Sequence, residues 1–205
     1  MKQSAEDTRR VVEIDVEVKS WEKSLPGVRE LRPPRCPICL VPGVSACGLV
    51  VLHGHGTRSR QVWGPPQPAG GSAVLSVQQR RYACQNCRTI VVVRPRGVLA
   101  RKRYRAAAIA MAMWLWGVEQ LSDAIVRAQI AVRATRGLSR PERWTTLRRW
   151  AASIRTGELW GTVRVQGEWT LRACAERAAR TVAALADILL DDPLERVFAG
   201  AAFAQ

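Results

Sequence analysis

The sequence predicts an α+β protein: a small antiparallel β unit, followed by an all-α bundle and a long C-terminal helix. Three observations carry that expectation. Two C-x2-C pairs, Cys36/Cys39 and Cys84/Cys87, are separated by 44 residues and bracket strand-like segments. After Arg105 the chain turns alanine-rich, with apolar residues at three- and four-residue steps, the helical period. A Gly/Pro-rich insert, GPPQPAGGS at Gly64 to Ser72, and prolines at 26, 33, 34 and 37 mark breaks in regular structure.

Residues 11–18, VVEIDVEV, alternate apolar and charged side chains from Val12 on, the period-two signature of a half-exposed strand. Residues 1–30 therefore read as an N-terminal strand or arm. Residues 31–100 read as the β domain, with strands near 49–55, 74–82 and 89–93. Residues 101–160 hold helices near 104–117, 122–133 and 140–155, and residues 161–205 hold a last helix near 168–190 that Pro193 stops, followed by a tail.

Each cysteine pair suits a metal knuckle. A two-residue spacer lets a turn bring both sulfurs to one edge of a tetrahedron, with backbone amides aimed at the thiolates; two knuckles close the site. Four soft anionic ligands with no open position point to one structural Zn2+ held by Cys36, Cys39, Cys84 and Cys87, and so to a zinc ribbon. A redox dithiol expects a single C-x-x-C opening a helix in a βαβ setting, which is not the pattern here. Cys47 and Cys174 lack partner spacing and read as small buried residues. His53 and His55, two apart on a strand, share a face and can offer two nitrogens to a metal. Four thiolates already saturate one zinc, so contact with phosphate, or a hydrogen bond within the ribbon, is the preferred reading of the pair.

The formal charge is +15 and the pI about 11. Asp and Glu are absent from Leu31 through Val118, a stretch that carries thirteen basic side chains. A surface kept only for solubility would mix both signs, so the balance points to a polyanionic partner, double-stranded DNA first. Arg94, Arg96, Arg101, Lys102, Arg103 and Arg105, in RPRGVLARKRYR, form a candidate phosphate clamp; a solvated linker is the plainer alternative.

The helices at 101–160 have the order and lengths of a helix-turn-helix. Ser122 can cap the second, and Pro141 suits the first turn of the third. On that third helix Trp144, Leu147, Ala151 and Ile154 make an apolar stripe. Thr145, Thr146, Arg148 and Arg149 lie away from it, short polar and guanidinium groups suited to a DNA groove, unless the face is merely solvated. The last helix carries Leu171, Ala175, Ala178, Val182, Leu185, Ile188 and Leu189 on one face, for packing, for a homodimer or for another protein.

CPIC, HGHGTRSR, VQQRRYACQNCRTIVVV, RPRGVLARKRY and the helix end TTLRRW, in this order, resemble the N-terminal zinc-ribbon plus helix-turn-helix module of bacterial insertion-sequence transposases and related mobile-element proteins. The resemblance covers about residues 35–154. It implies recognition of element ends, with a transposase, recombinase or similar protein as a possible partner. In that family a downstream RNase-H-like domain with an acidic triad cuts DNA. Only 51 residues follow Ile154 here, so cleavage is not carried over.

No nucleophile–base pair or open metal arrangement is evident, so an enzyme is not expected. The remaining alternatives are a protein-interaction adaptor or transcription regulator with a structural zinc, and an RNA-binding zinc-ribbon protein. The polar, mixed-charge N-terminus and an apolar window, Ala106 to Val118, of only 13 residues lead to the expectation of a cytoplasmic, nucleoid-associated protein.

Overall fold

The computed structural model describes residues 10–132, 144–163, 169–187 and 189–204. Among them are strands β1 (Val11–Glu17), β2 (Leu52–Gly64), β3 (Ala73–Cys84) and β4 (Ile90–Arg96). The helices are α1 (Val18–Lys23), α2 (Ala106–Met113), α3 (Asp123–Ile130), α4 (Thr145–Arg155), α5 (Leu171–Ala183) and α6 (Pro193–Gly200), with a π-helical turn at Trp114–Val118 after α2.

The fold is α+β, but not a small ribbon followed by an all-α bundle. One four-stranded mixed sheet, in the order β1-β4-β3-β2, contains long strands, and α1 falls between β1 and β2. β4 pairs antiparallel with β3 and parallel with β1, setting Val11 against Val92 and Glu13 against Arg94. The N-terminal strand is thus the fourth member of the sheet. Along β4 the residues alternate, with Val91, Val93 and Pro95 buried and Val92, Arg94 and Arg96 on the more open face.

The chain divides into two compact units, residues 1–61 with 76–100, and residues 62–75 with 101–205. The hairpin tip therefore belongs with the helices. Trp63 donates its N–H to the Arg103 carbonyl (2.8 Å), and Arg105 returns one to the Trp63 carbonyl (3.1 Å). The helical unit is for this reason not all-α.

In the first unit Trp21, Leu52, Val77, Tyr82, Val91 and Val93 are buried. In the second, Trp63, Tyr104, Trp144 and Trp150 meet edge to face with ring centres 4.9–6.1 Å apart, the offset that aromatic quadrupoles favour. Trp144, Leu147, Ala151 and Ile154 are all buried, so the apolar stripe of α4 does face the core. Around α5 the packing is backbone-close. A Cβ on Gly117 would run into the Glu176 backbone nitrogen, and one on Gly200 into the Val182 carbonyl, beside the buried Ala175, Ala178 and Ala179.

The long C-terminal helix is also corrected: α5 ends at Ala183, and Pro193 begins α6 instead of ending a helix. Proline's missing N–H costs nothing in a first turn, where Asp192 caps α6 by accepting from the Leu194 N–H at 2.9 Å. Leu185 and Leu189, expected on the helical face, lie past its end and are exposed. The turn before α4, with Gly137 and Pro141, lies outside the described residues, as does Ile188. No helix among the described residues is long and apolar enough to cross a membrane.

Candidate functional site

Cys36, Cys39, Cys84 and Cys87 come together, their sulfurs all within 4.8 Å of one another. The second pair is the turn between β3 and β4. The first tips a small hairpin closed by the Arg35–Pro42 bridge. Cys36 to Cys87 and Cys39 to Cys84 are each 3.7 Å apart. Disulfide bonds of about 2.05 Å are excluded at that separation. A zinc–sulfur bond of about 2.3 Å in a tetrahedron places sulfurs about 3.8 Å apart, so the four positions fit a bound ion. Together they can hold a metal.

Two equal knuckles build the cluster. Cys36 N–H donates to the Val41 carbonyl (2.9 Å) and Leu40 N–H to the Cys36 carbonyl (2.9 Å); Cys84 repeats the pattern with Thr89 (3.0 Å) and Arg88 (2.9 Å). The first cysteine of each pair is buried and the second half-exposed. Amides of Ile38 and Cys39 serve the Cys36 sulfur, and those of Asn86 and Cys87 serve Cys84. Burial nevertheless pushes the Cys36 thiol up to about 12, and Cys84 upward as well. The Asn86 side chain, then the Val41 amide, hold Cys39 down to about 6, and the Thr89 side chain lowers Cys87. Sequence patterning alone does not single out Asn86 and Thr89, although their places within and just after C-x-x-C mark them as amide and hydroxyl donors.

The remaining sulfur and imidazole groups stay apart. Cys174 is buried as expected, but Cys47 is exposed, 3.1 Å from the Ser45 hydroxyl, because it sits at the tip of a short turn. His53 Nε2 donates to the Val50 carbonyl at 2.8 Å, and neither His53 nor His55 joins a metal-type cluster among the described residues.

The basic residues divide by environment. Arg94 pairs with Glu13 at 3.1 Å and Arg96 with Asp15 at 2.7 Å, so β1 brings carboxylates to the stretch that has none of its own. Arg105 is buried at 1% exposure, which removes its guanidinium from any surface clamp. Arg101 is exposed, Lys102 half-buried, and Arg103 is exposed with its guanidinium 5.0 Å over the Trp63 ring. On α4, Thr145, Arg148 and Arg149 are exposed and Thr146 is half-buried. Arg148 is held by the Asp123 carboxylate at 3.0 Å and lies 5.8 Å from the Trp116 ring. Asp123, a residue that no motif marks in the sequence, also accepts the Trp144 N–H at 3.3 Å, joining the start of α3 to the start of α4.

Compared with family models, curated proteins and solved structures, the chain matches none.

Proposed function

We propose that this chain is a DNA-binding protein of mobile-element type, stabilised by one structural zinc. Four thiolates with no open coordination position suit a structural ion, and their softness favours zinc over hard cations. The observation that carries the nucleic-acid reading is the exposure of arginines along a sequence stretch of one sign. Arg35, Arg58, Arg88, Arg101 and Arg103 are exposed within a stretch that has no carboxylate, and a closed Zn(Cys)4 centre would remove only two charges from the excess. In this reading Arg101 to Arg103 contact phosphates, and Thr145, Thr146, Arg148 and Arg149 on α4 face a groove.

A salt titration of duplex binding tests the proposal. Several neutralised phosphates give a steep fall of affinity with added salt. A flat salt dependence, or no binding to DNA, rejects it, and preference for an RNA competitor moves the reading to RNA.

One observation favours a protein partner instead: Leu189 is 82% exposed beyond the end of α5. An adaptor loses its partner on Leu185→Ser or Leu189→Ser and keeps it on Arg149→Ala.

A further inference from the structure

We propose that the edge strand β2 is a contact surface for the phosphodiester backbone of nucleic acid, with Arg58 as its exposed anchor and Arg60 and Arg94 behind it. This inference rests on the nucleic-acid reading above and locates the phosphate grip of the first unit on the sheet.

β2 ends the strand order, with β3 as its neighbour. Where β4 alternates buried and open residues, β2 runs through seven consecutive exposed residues, His53 to Ser59. That segment reads HGHGTRS, with no aliphatic side chain to bury and no carboxylate. Strands are ordinarily held by packing on at least one face. Here all seven residues are exposed, although the Val28 side chain lies against Gly54, and two glycines make the segment costlier to order. His53 is engaged with the Val50 carbonyl and Ser59 with the Ser76 hydroxyl, and what the strand displays beyond them is the His55 imidazole, the Thr57 hydroxyl and the Arg58 guanidinium.

Behind it positive charge is crowded. Arg60 donates from Nη2 to the Leu99 carbonyl at 2.7 Å, which fixes its guanidinium. Burial first, then the positive charges of Arg94 and Arg58, lower its proton affinity. Glu13 is the carboxylate paired with Arg94. Like charges held together by a fold are relieved by an anion, and guanidinium with phosphate is the strong pairing. Side chains on one side of a strand stand about 7 Å apart, giving a ladder along which a backbone can lie.

A peptide adding to the same edge is the competing occupant. Gly56, at φ +79°, breaks the regular ladder that strand addition needs and leaves side-chain contacts intact, which favours the phosphodiester.

The test uses the full zinc-loaded chain and a labelled DNA duplex, with Arg58→Ala, Arg58→Glu and Thr57→Ala. Arg29→Ala, an exposed arginine of the same unit, is the control for removal of one positive charge. Metal content and circular dichroism check that each variant is folded. Arg58→Ala is expected to weaken binding several-fold and to reduce the slope of log affinity against log salt by about 0.9 for each phosphate no longer neutralised. Arg58→Glu weakens binding further, and Arg29→Ala leaves the slope unchanged. If the parent chain binds DNA with a steep slope and both Arg58 variants match it, the β2 inference is overturned while the DNA reading stands. If the parent chain does not bind, both fall. Protection of the His53 to Ser59 amides from exchange by an extended acidic peptide, and not by DNA, also overturns it.

Discussion

Leu40 and Arg88 adopt the same left-handed backbone, φ 60° in each, one residue past the second cysteine of their pairs. The two knuckles are therefore conformational copies built from different sequences, CPICL and CQNCR. A non-glycine residue in this region costs roughly 1–2 kcal/mol, which the chain bears twice to close one site.

That cost gives the first prediction. Leu40→Val or Arg88→Val, adding a β-branched side chain at positive φ, lowers the stability of the metal-loaded protein by about 1–2 kcal/mol. Leu40→Gly and Arg88→Gly relieve the strain and retain the fold. Denaturant unfolding of the metal-loaded protein measures both; equal stability of the valine and glycine variants would refute the conformational argument.

The thiols predict a pH dependence. Burial keeps Cys36, at about 12, and Cys84 protonated at neutral pH, while Cys39, at about 6, has largely lost its proton. A metal must displace the protons that remain, so binding releases protons and affinity climbs as pH rises. Below about pH 6 Cys39 must be deprotonated too, and the dependence steepens. Chelator competition across this range measures it, and a flat profile contradicts the four-thiolate site.

Gly117 predicts a close-packing failure. Gly117→Ala forces a Cβ into the Glu176 backbone nitrogen, which cannot swing aside as a side chain would. Overpacking of this kind costs about 1–3 kcal/mol. Gly71→Ala meets no atom within 4 Å and serves as the comparison in a thermal melt. Equal melting temperatures for the two variants would count against the close approach.

Asp123 predicts an asymmetric pair. Asp123→Ala removes the acceptor of both the Trp144 N–H and Arg148, and costs about 1–3 kcal/mol. Arg148→Ala leaves the Trp144 bond in place and, from a guanidinium 45% exposed, costs at most about 1 kcal/mol. Unfolding of the two single variants shows whether the carboxylate is the structural partner. Equal losses would contradict that assignment.

The parts legible in the sequence are those with a local signature. Residues 11–18 announce β1 by alternation, and 144–154 announce the buried stripe of α4. The two C-x-x-C pairs announce the sulfur cluster. What escapes depends on distant partners. Nothing near Glu13 or Asp15 reveals that β1 lies parallel to β4 and neutralises Arg94 and Arg96 some eighty residues on. The length of β2 is hidden because HGHGTRS has no aliphatic side chain and leaves no hydrophobic period to read. The break after Ala183 is masked because Leu185, Ile188 and Leu189 continue the apolar spacing beyond it. Pro193 reads as a stop because the same residue that cannot sit inside a helix fits its first turn.

The most direct test is the metal content of the purified chain beside that of its Cys36→Ser and Cys84→Ser variants. The account predicts one zinc per parent chain, all four thiols shielded from alkylation until a chelator is added, and loss of the ion in either variant. A folded parent chain free of zinc, or variants that hold as much of it as the parent, would contradict the claim that these four sulfurs form the structural centre.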